Sequence, residues 1–347
     1  MPNVLFFGDV SEASTALHRA NALIRLGSSV STFNPVDALS KAHKSSIMQA
    51  INFKTGYRLL QSKMLAWLTE IVENTSKPDF IWVDNGEFFG KKCLQILQKF
   101  NCPIVLYSID DPTGKRDGMR FDSMLSAIKF YDLIVAVRDE TEEELKVLGA
   151  KKILKVWRSY DEIAHQPFEK MDQIPVQFRS EVAFIGTWMR HEKRDEFLLK
   201  LIDEGIPVAI WGNAWQKSKY FEMLKPYYRG PNLSGREYIA AIQGAKICLG
   251  LLSKGNRDLH TTRSLEVPYA GGILCAQRTR EHQALYKENV EAVFWADAEE
   301  CAQTCKALLG NSKIENLRVA GMQRVRSLKL GNEDLCKLVL KEINLAT

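Results

Sequence analysis

Short apolar runs alternate with amphipathic stretches along almost the whole of this 347-residue chain, and no other feature restricts its fold so tightly. Val4–Phe7, Val30–Phe33, Phe80–Val83, Ile104–Tyr107, Leu133–Val137 and Ile153–Val156 read as strands of a parallel sheet. A strand covered on both faces needs no polar side, so it appears as an apolar run rather than an alternation. Ser14–Leu26 is the clearest helix between them and closes on Gly27, a residue suited to a left-handed C-terminal cap. Repeated strand and helix predict a doubly wound α/β domain.

The rhythm stops between Tyr160 and Arg179, a polar stretch with Pro167 and Pro175 and no sustained period. It then resumes. Strands are expected at Val182–Ile185, Val208–Trp211, Ile247–Leu251, Ile273–Ala276 and Ala292–Trp295. Helices are expected at Glu192–Glu204, Ser234–Gln243, Arg263–Ala270, Thr279–Tyr286 and Glu299–Leu309, with a last one over Glu315–Ile343 broken near Gly331. The expected architecture is α/β, with two Rossmann-like parallel-sheet domains, 1–160 and 161–347, facing a cleft. The last helix is a candidate to pack back on the first domain. Ligands of open parallel sheets sit at the carboxyl ends of strands, so strand-end loops from both halves are the places to search.

Composition narrows the function classes. With 46% apolar and 26% charged residues the chain reads as an ordinary soluble protein. A net charge of +5 is too mild for nucleic acid but suits an anionic ligand or weak peripheral contact with acidic lipid. Lys115, Arg116 and Arg120 are the cluster that would make such a contact, with a solvated loop as the alternative. The seven cysteines are scattered and lack a Cys-x-x-Cys pair. Cys301 and Cys305 stand one helical turn apart with no matching pair, so neither a zinc site nor a disulfide framework is expected. No signal-peptide pattern and no apolar run of about 20 residues occurs, which predicts a cytoplasmic protein.

Several chemistries lack their motifs. The first βα loop, FFGDVSEAS, has the single glycine Gly8 where a dinucleotide fingerprint has three. There is no P-loop, no Gly-x-Ser-x-Gly elbow and no Asp-x-Asp motif to hold a metal against a diphosphate. No metal and no cofactor is therefore expected. The segment DLHTTRSLEVPYAGGILCA, Asp258 to Ala276, offers other means. A helix start presents amides and Arg263 to a phosphate, and a carboxylate at Glu266 can accept hydrogen bonds from vicinal sugar hydroxyls. Phosphate and diol together describe a nucleotide sugar. The plainer readings are a local Arg263–Glu266 ion pair, a loop cap at Asp258, a helix stop at Gly271 and a silent, exposed His260. Arg190 and Arg194 are candidates for the diphosphate or members of a solvated helix face. Asp110, in YSIDDP, is a candidate base at a strand end, or part of an Asp-Pro turn with Asp111. Trp211, Gly212, Asn213 and Trp215 are candidates to border a nucleobase, or core.

The stretch TTRSLEVPYAGGILCAQRTREHQALY resembles the C-terminal signature of CgeB-like spore maturation glycosyltransferases. FIGTWMRHEKRDEFLLKLIDEGIPVAIWGNAW, GREYIAAIQGAKICLGLL and YSIDDP resemble further parts of that group. The group is similar to the retaining family 4 glycosyltransferases of GT-B fold. The resemblance implies a nucleotide-diphosphate sugar donor on the second domain and an acceptor, whether sugar, lipid-linked or protein, on the first. It implies that Glu266, the second acid of Glu-x7-Glu, contacts the donor ribose and that Asp258, the first acid, approaches the donor sugar. Arg190 or Arg194 would meet the diphosphate, and Asp110 would lie beside the reacting sugar. Two departures stand out: Asp258 is one methylene shorter than the usual glutamate, and the glycine pair of the first loop is reduced to Gly8. The sequence therefore predicts a metal-independent glycosyltransferase. A non-catalytic nucleotide-sugar-binding protein and a sugar-nucleotide epimerase of the same fold are its rivals.

Overall fold

The computed structural model describes residues 1–12, 14–39, 45–114, 116–311 and 314–345. The chain divides into two compact units, Met1–Trp157 with Asn332–Thr347, and Arg158–Gly331. The helix Asn332–Glu342 thus belongs to the first unit although the second precedes it in sequence.

The first unit holds a six-stranded parallel sheet of β1 (Asn3–Phe7), β2 (Ser29–Phe33), β3 (Phe80–Asp84), β4 (Ile104–Ser108), β5 (Leu133–Ala136) and β6 (Ile153–Lys155). Their order is β2-β1-β3-β4-β5-β6, so the chain reverses direction across the sheet between β1 and β3. The inner strands β3, β4 and β5 are almost wholly buried, whereas the edge strand β2 is polar and mostly exposed. Successive side chains alternate between faces. Leu5, Phe7, Ile81, Val83 and Leu106 pack one way, against the helices Gln61–Asn74 and Lys91–Leu97. Val4, Phe6, Trp82, Val105 and Tyr107 pack the other way, against Thr15–Arg25 and Asn332–Glu342. The helix Thr15–Arg25 starts where expected, with Ser14 Oγ accepting from the Leu17 amide at 3.0 Å. It ends on Gly27, whose φ is +88°.

The second unit repeats the plan with β7 (Ser180–Ile185), β8 (Val208–Trp211), β9 (Tyr228–Gly230), β10 (Ala245–Gly250), β11 (Leu274–Gln277) and β12 (Val293–Trp295). The order β12-β11-β10-β7-β8-β9 places the switch point between β7 and β10. β9 has no counterpart in the sequence reading. The expected Glu315–Ile343 helix is two helices, Ile314–Ser327 and Asn332–Glu342, with Gly331 between them. Two doubly wound parallel sheets with flanking helices are the domains of the GT-B fold. Among the described residues no helix is long and apolar enough to cross a membrane.

Candidate functional site

The helix Arg263–Tyr269 has only seven residues, yet its neighbours fix it firmly. Pro268 lacks the N–H that would bond the Ser264 carbonyl one turn back. Tyr286 Oη supplies the missing donor to that carbonyl at 2.7 Å, fully inside the core. The helix stops in a left-handed cap: Gly271 has φ +82°, its N–H meets Pro268 O at 3.1 Å, and Gly272 N–H meets Val267 O at 2.8 Å. Gly271 is therefore at the far end of the helix from Arg263, about 12 Å away at 1.5 Å per residue. Its carbonyl accepts from Arg318. Gly271 is thus the helix stop of the plainer reading. The first turn also pairs the amides of Ser264, Leu265 and Glu266 within itself, so these are unavailable to a phosphate.

Glu266 is 6% exposed. Its Oε2 accepts from Tyr238 Oη at 2.7 Å, while Oε1 faces His165 Nε2 at 3.6 Å, beyond hydrogen-bonding distance. His165 Nδ1 accepts from the Asp161 amide at 2.8 Å, so in the neutral ring the proton lies on Nε2, toward Glu266. Burial, then the adjacent carboxylate, raises the Tyr238 phenol well above its ordinary value and keeps it a donor. Arg263 lies close enough to act on Tyr238 in the opposite sense. Its Nε is buried and has no hydrogen-bond partner, and it makes no ion pair with Glu266 among the described residues. The local ion pair is thus replaced by a carboxylate and a guanidinium that each retain bonding capacity.

Asp258 and His260 are differently placed. Asp258 Oδ1 accepts from Arg158 Nη2 at 2.7 Å, with both side chains buried. His260, expected to be exposed, is 2% exposed. Its Nε2 accepts from the Arg158 amide at 3.1 Å and its Nδ1 lies 2.5 Å from Glu281 Oε2. Burial lowers the imidazole below its ordinary value despite the opposing pull of Glu281. With both nitrogens engaged, His260 positions the Arg158 backbone and holds no free proton-transfer site.

The cationic candidates separate in the same way. Arg194 opens the helix Arg194–Asp203 and is buried, giving Nη1 to Thr187 O at 2.8 Å and Nη2 to Leu252 O at 3.3 Å. It thereby ties the ends of β7 and β10 together and is not on a solvated helix face. Arg190 is exposed and makes no hydrogen bond or ion pair among the described residues. It lines a cavity of about 370 Å³ with Trp188, Lys193, Lys217 and Lys219. A second cavity, of about 340 Å³, lies at the ends of β10, β11 and β12 with Lys193, Lys254, Phe197 and Trp295 on its walls. Neither cavity is lined by Glu266 or Arg263.

Gly212 has φ +147°, and a Cβ there would lie 2.0 Å from Gly186 O, so the loops after β7 and β8 touch backbone to backbone. Asn213 is exposed and binds these loops, accepting from the Trp188 amide at 2.9 Å. Trp211 and Trp215 are core residues, 3% and 0% exposed. Trp188, on the cavity wall, is the aromatic at that edge.

In the first unit Gly8 ends β1 at the switch point and lines a cavity of about 360 Å³ with Ser14, Thr15, Asn85 and Gly86. A Cβ at Gly8 would come within 2.9 Å of Asp84 Cβ. Asp84 is itself fixed by Arg19, at 2.7 and 2.9 Å, whose guanidinium lies 4.2 Å over the Tyr107 ring. Asp110 follows Ile109, which with Glu87 also lines this cavity, but does not line it itself. It pairs with Arg120 at 3.3 Å, and Arg120 also holds Glu87 at 2.5 Å and Asp117 at 3.2 Å. Burial raises the Glu87 carboxyl above its ordinary value, against the pull of Arg120. Arg116 pairs with Asp117 at 2.7 Å. Both arginines of the basic cluster therefore face carboxylates, and Lys115 lies outside the described residues. Asp111 forms the Asp-Pro turn, accepting from the Gly114 amide at 3.0 Å.

Sequence reasoning missed Arg158, His165, Tyr238 and Glu281. His165 lies in the stretch without periodicity, Arg158 lies just ahead of it after the Ile153–Val156 run, and Tyr238 and Glu281 sit inside ordinary helical patterns, so no local signal marks them.

Residues 190–329 match a family model described as glycosyl transferase-like. No curated protein matches this sequence. Three solved structures show the same two-domain fold. Sucrose-phosphate synthase from Thermosynechococcus elongatus has a TM-score of 0.74 at 13% identity, covering 100% of both chains. Anabaena HepE in complex with UDP-glucose has a TM-score of 0.64 at 11% identity, covering 99% of this chain and 100% of that one. A UDP-forming trehalose-phosphate synthase from Burkholderia vietnamiensis has a TM-score of 0.63 at 12% identity, with the same coverage.

Proposed function

We propose that the protein is a metal-independent glycosyltransferase that moves a sugar, with retention, from a nucleoside-diphosphate sugar to an acceptor hydroxyl. The observation that carries this is the Glu266 carboxylate, held at one oxygen by Tyr238, one helical turn from an Arg263 whose buried Nε has no partner. The glycosyl transferase-like match spans both residues, and two structures of the same fold are described as UDP-glucose-bound or UDP-forming.

In this reading Glu266 Oε1 accepts from the donor ribose, and Arg263 and Arg190 neutralise the departing diphosphate in place of a metal. Gly212 lets the strand-end backbone approach the donor, and Asn213 orients that loop. Arg194, Asp258 and His260 act as positioning residues: the first ties strand ends together, and the others fix Arg158. On the first unit, the Gly8 cavity takes the acceptor, a sugar, lipid-linked or protein hydroxyl, and Asp110 orients it. A non-catalytic binding protein is the second reading, favoured by the sealed state of Asp258 and His260.

The test is incubation with UDP-, GDP-, dTDP-, CDP- and ADP-glucose in EDTA, with products resolved by NMR. The proposal expects EDTA-insensitive release of one nucleoside diphosphate. Binding without any product would support the non-catalytic reading, and a new nucleotide sugar formed without acceptor would identify an epimerase.

A further inference from the structure

Three of the seven cysteines converge inside the second unit, Cys275 from a strand distant in sequence from the other two, and all are unused by the proposed reaction. Cys275 points inward from β11. Cys301 and Cys305 lie one turn apart on the helix Ala298–Leu309 and so share a face. All three are 0% exposed, and their sulfurs lie within 4.8 Å of one another. Among the described residues no other group of three such ligands forms, although Cys93, Cys248 and Cys336 are equally buried. We propose that Cys275, Cys301 and Cys305 form a three-thiol site for a trivalent thiophilic centre, arsenic(III).

Geometry permits it. Three sulfurs bound at about 2.3 Å in the trigonal pyramid of a lone-pair-bearing centre stand about 3.4–3.5 Å apart, so side-chain shifts of about 1 Å from the present spacing, within 4.8 Å, close the site. Charge selects the occupant. The surroundings are apolar, with Phe and Leu side chains of the same core, and the charged group beside Cys301 is the Glu300 carboxylate. The thiols share hydrogen bonds, which together with burial raise Cys275 well above its ordinary value. A charge left uncompensated there is costly. Three thiolates leave zinc(II) with one net negative charge and copper(I) with two. Arsenic(III) leaves none. Arsenous acid reacts with three thiols so that three As–S bonds form while three As–O and three S–H bonds break. Three waters leave, and no atom changes oxidation state.

Capture would tie β11 to the Ala298–Leu309 helix, the elements that contribute Gln277 and Ala298 to the cavity at the ends of β10 to β12. Because the thiols are buried, uptake requires local opening of that helix and is slow.

The experiment incubates the reduced full chain with sodium arsenite and reads native mass, thermal melting and thiol count. The expected mass gain is one arsenic less three hydrogens, with a melting temperature raised by several degrees because the ligand binds the folded state. Three of the seven thiols escape maleimide labelling in urea, a readout that needs no variant. Cys275→Ser, Cys301→Ser and Cys305→Ser each lose the bound arsenic, whereas Cys93→Ser and Cys336→Ser keep it. Failure to retain arsenic, retention in Cys275→Ser, or uptake of one zinc(II) in preference to arsenite would each overturn the proposal.

Discussion

His282 lies fully inside the second unit between Ser264 Oγ, 2.8 Å from Nε2, and the Gln277 carbonyl, 2.6 Å from Nδ1. Ser264 Oγ already accepts from the Thr261 amide, so it donates to Nε2, and the ring is neutral with its proton on Nδ1. Burial lowers its pKa from 6.5 to about 4, although the hydrogen bond to Gln277 opposes the shift. A folded value below the unfolded one means that the unfolded state binds the proton first as pH falls. Its contribution is complete above about pH 6.5 and is lost as the pH falls toward 4, by roughly 3 kcal/mol in all. Urea unfolding at pH 7 and pH 5 should therefore show a smaller loss of stability in His282→Asn than in the parent protein. An equal loss would remove His282 as the cause. The shared placement of Glu266 and Arg263 is legible at this scale because three residues on a helix put side chains on one face. That of His260 is not. Its partners include the Arg158 amide, 102 positions away, and only the fold discloses that the ring is sealed.

Elements show where local rules suffice. Gly27 and Gly212 both have positive φ, but a Cβ at Gly27 meets nothing within 4 Å whereas one at Gly212 meets Gly186 O at 2.0 Å. That carbonyl cannot easily retreat, because it also accepts from Trp215 Nε1 at 2.9 Å. Gly27→Ala should cost about 1 kcal/mol, the left-handed backbone penalty alone, and Gly212→Ala about 3 kcal/mol or more. Similar denaturation midpoints for the two variants would contradict the close approach. Tyr286→Phe should destabilise by about 1–3 kcal/mol, since it leaves the Ser264 carbonyl without its donor beside Pro268. A neutral effect in chemical denaturation would mean that the carbonyl finds another partner. The inner strands and the capped helix Thr15–Arg25 are legible because apolar runs and a Ser…Gly frame write them directly. β9 is not, since Tyr228–Gly230 is three residues long, lies at an edge and pairs with β8 across a register shift. The fully buried tryptophans of WGNAW mislead for a related reason: a strand-end aromatic looks the same in sequence whether it points to ligand or to core.

At the scale of the whole molecule, the first unit is completed by the last helix of the chain. Leu335, Cys336, Val339 and Leu340 cover the sheet face built from Val4, Phe6, Trp82 and Tyr107. Deleting residues 332–347 should destabilise that unit by roughly 5 kcal/mol or more, from the apolar area exposed. Calorimetry should show the loss in the first unit's transition, and an unchanged profile would refute the assignment. The two-sheet plan is legible because each sheet repeats strand and helix around its own switch point. Which strand-end loops form a site is a matter of contacts between distant segments, and spacing does not encode them. Calorimetric titration of UDP into the parent protein and Glu266→Gln tests whether Glu266 holds the nucleotide. The parent should bind, and the variant should bind at least about tenfold more weakly, about 1.4 kcal/mol. Equal affinity in the two proteins would contradict that role.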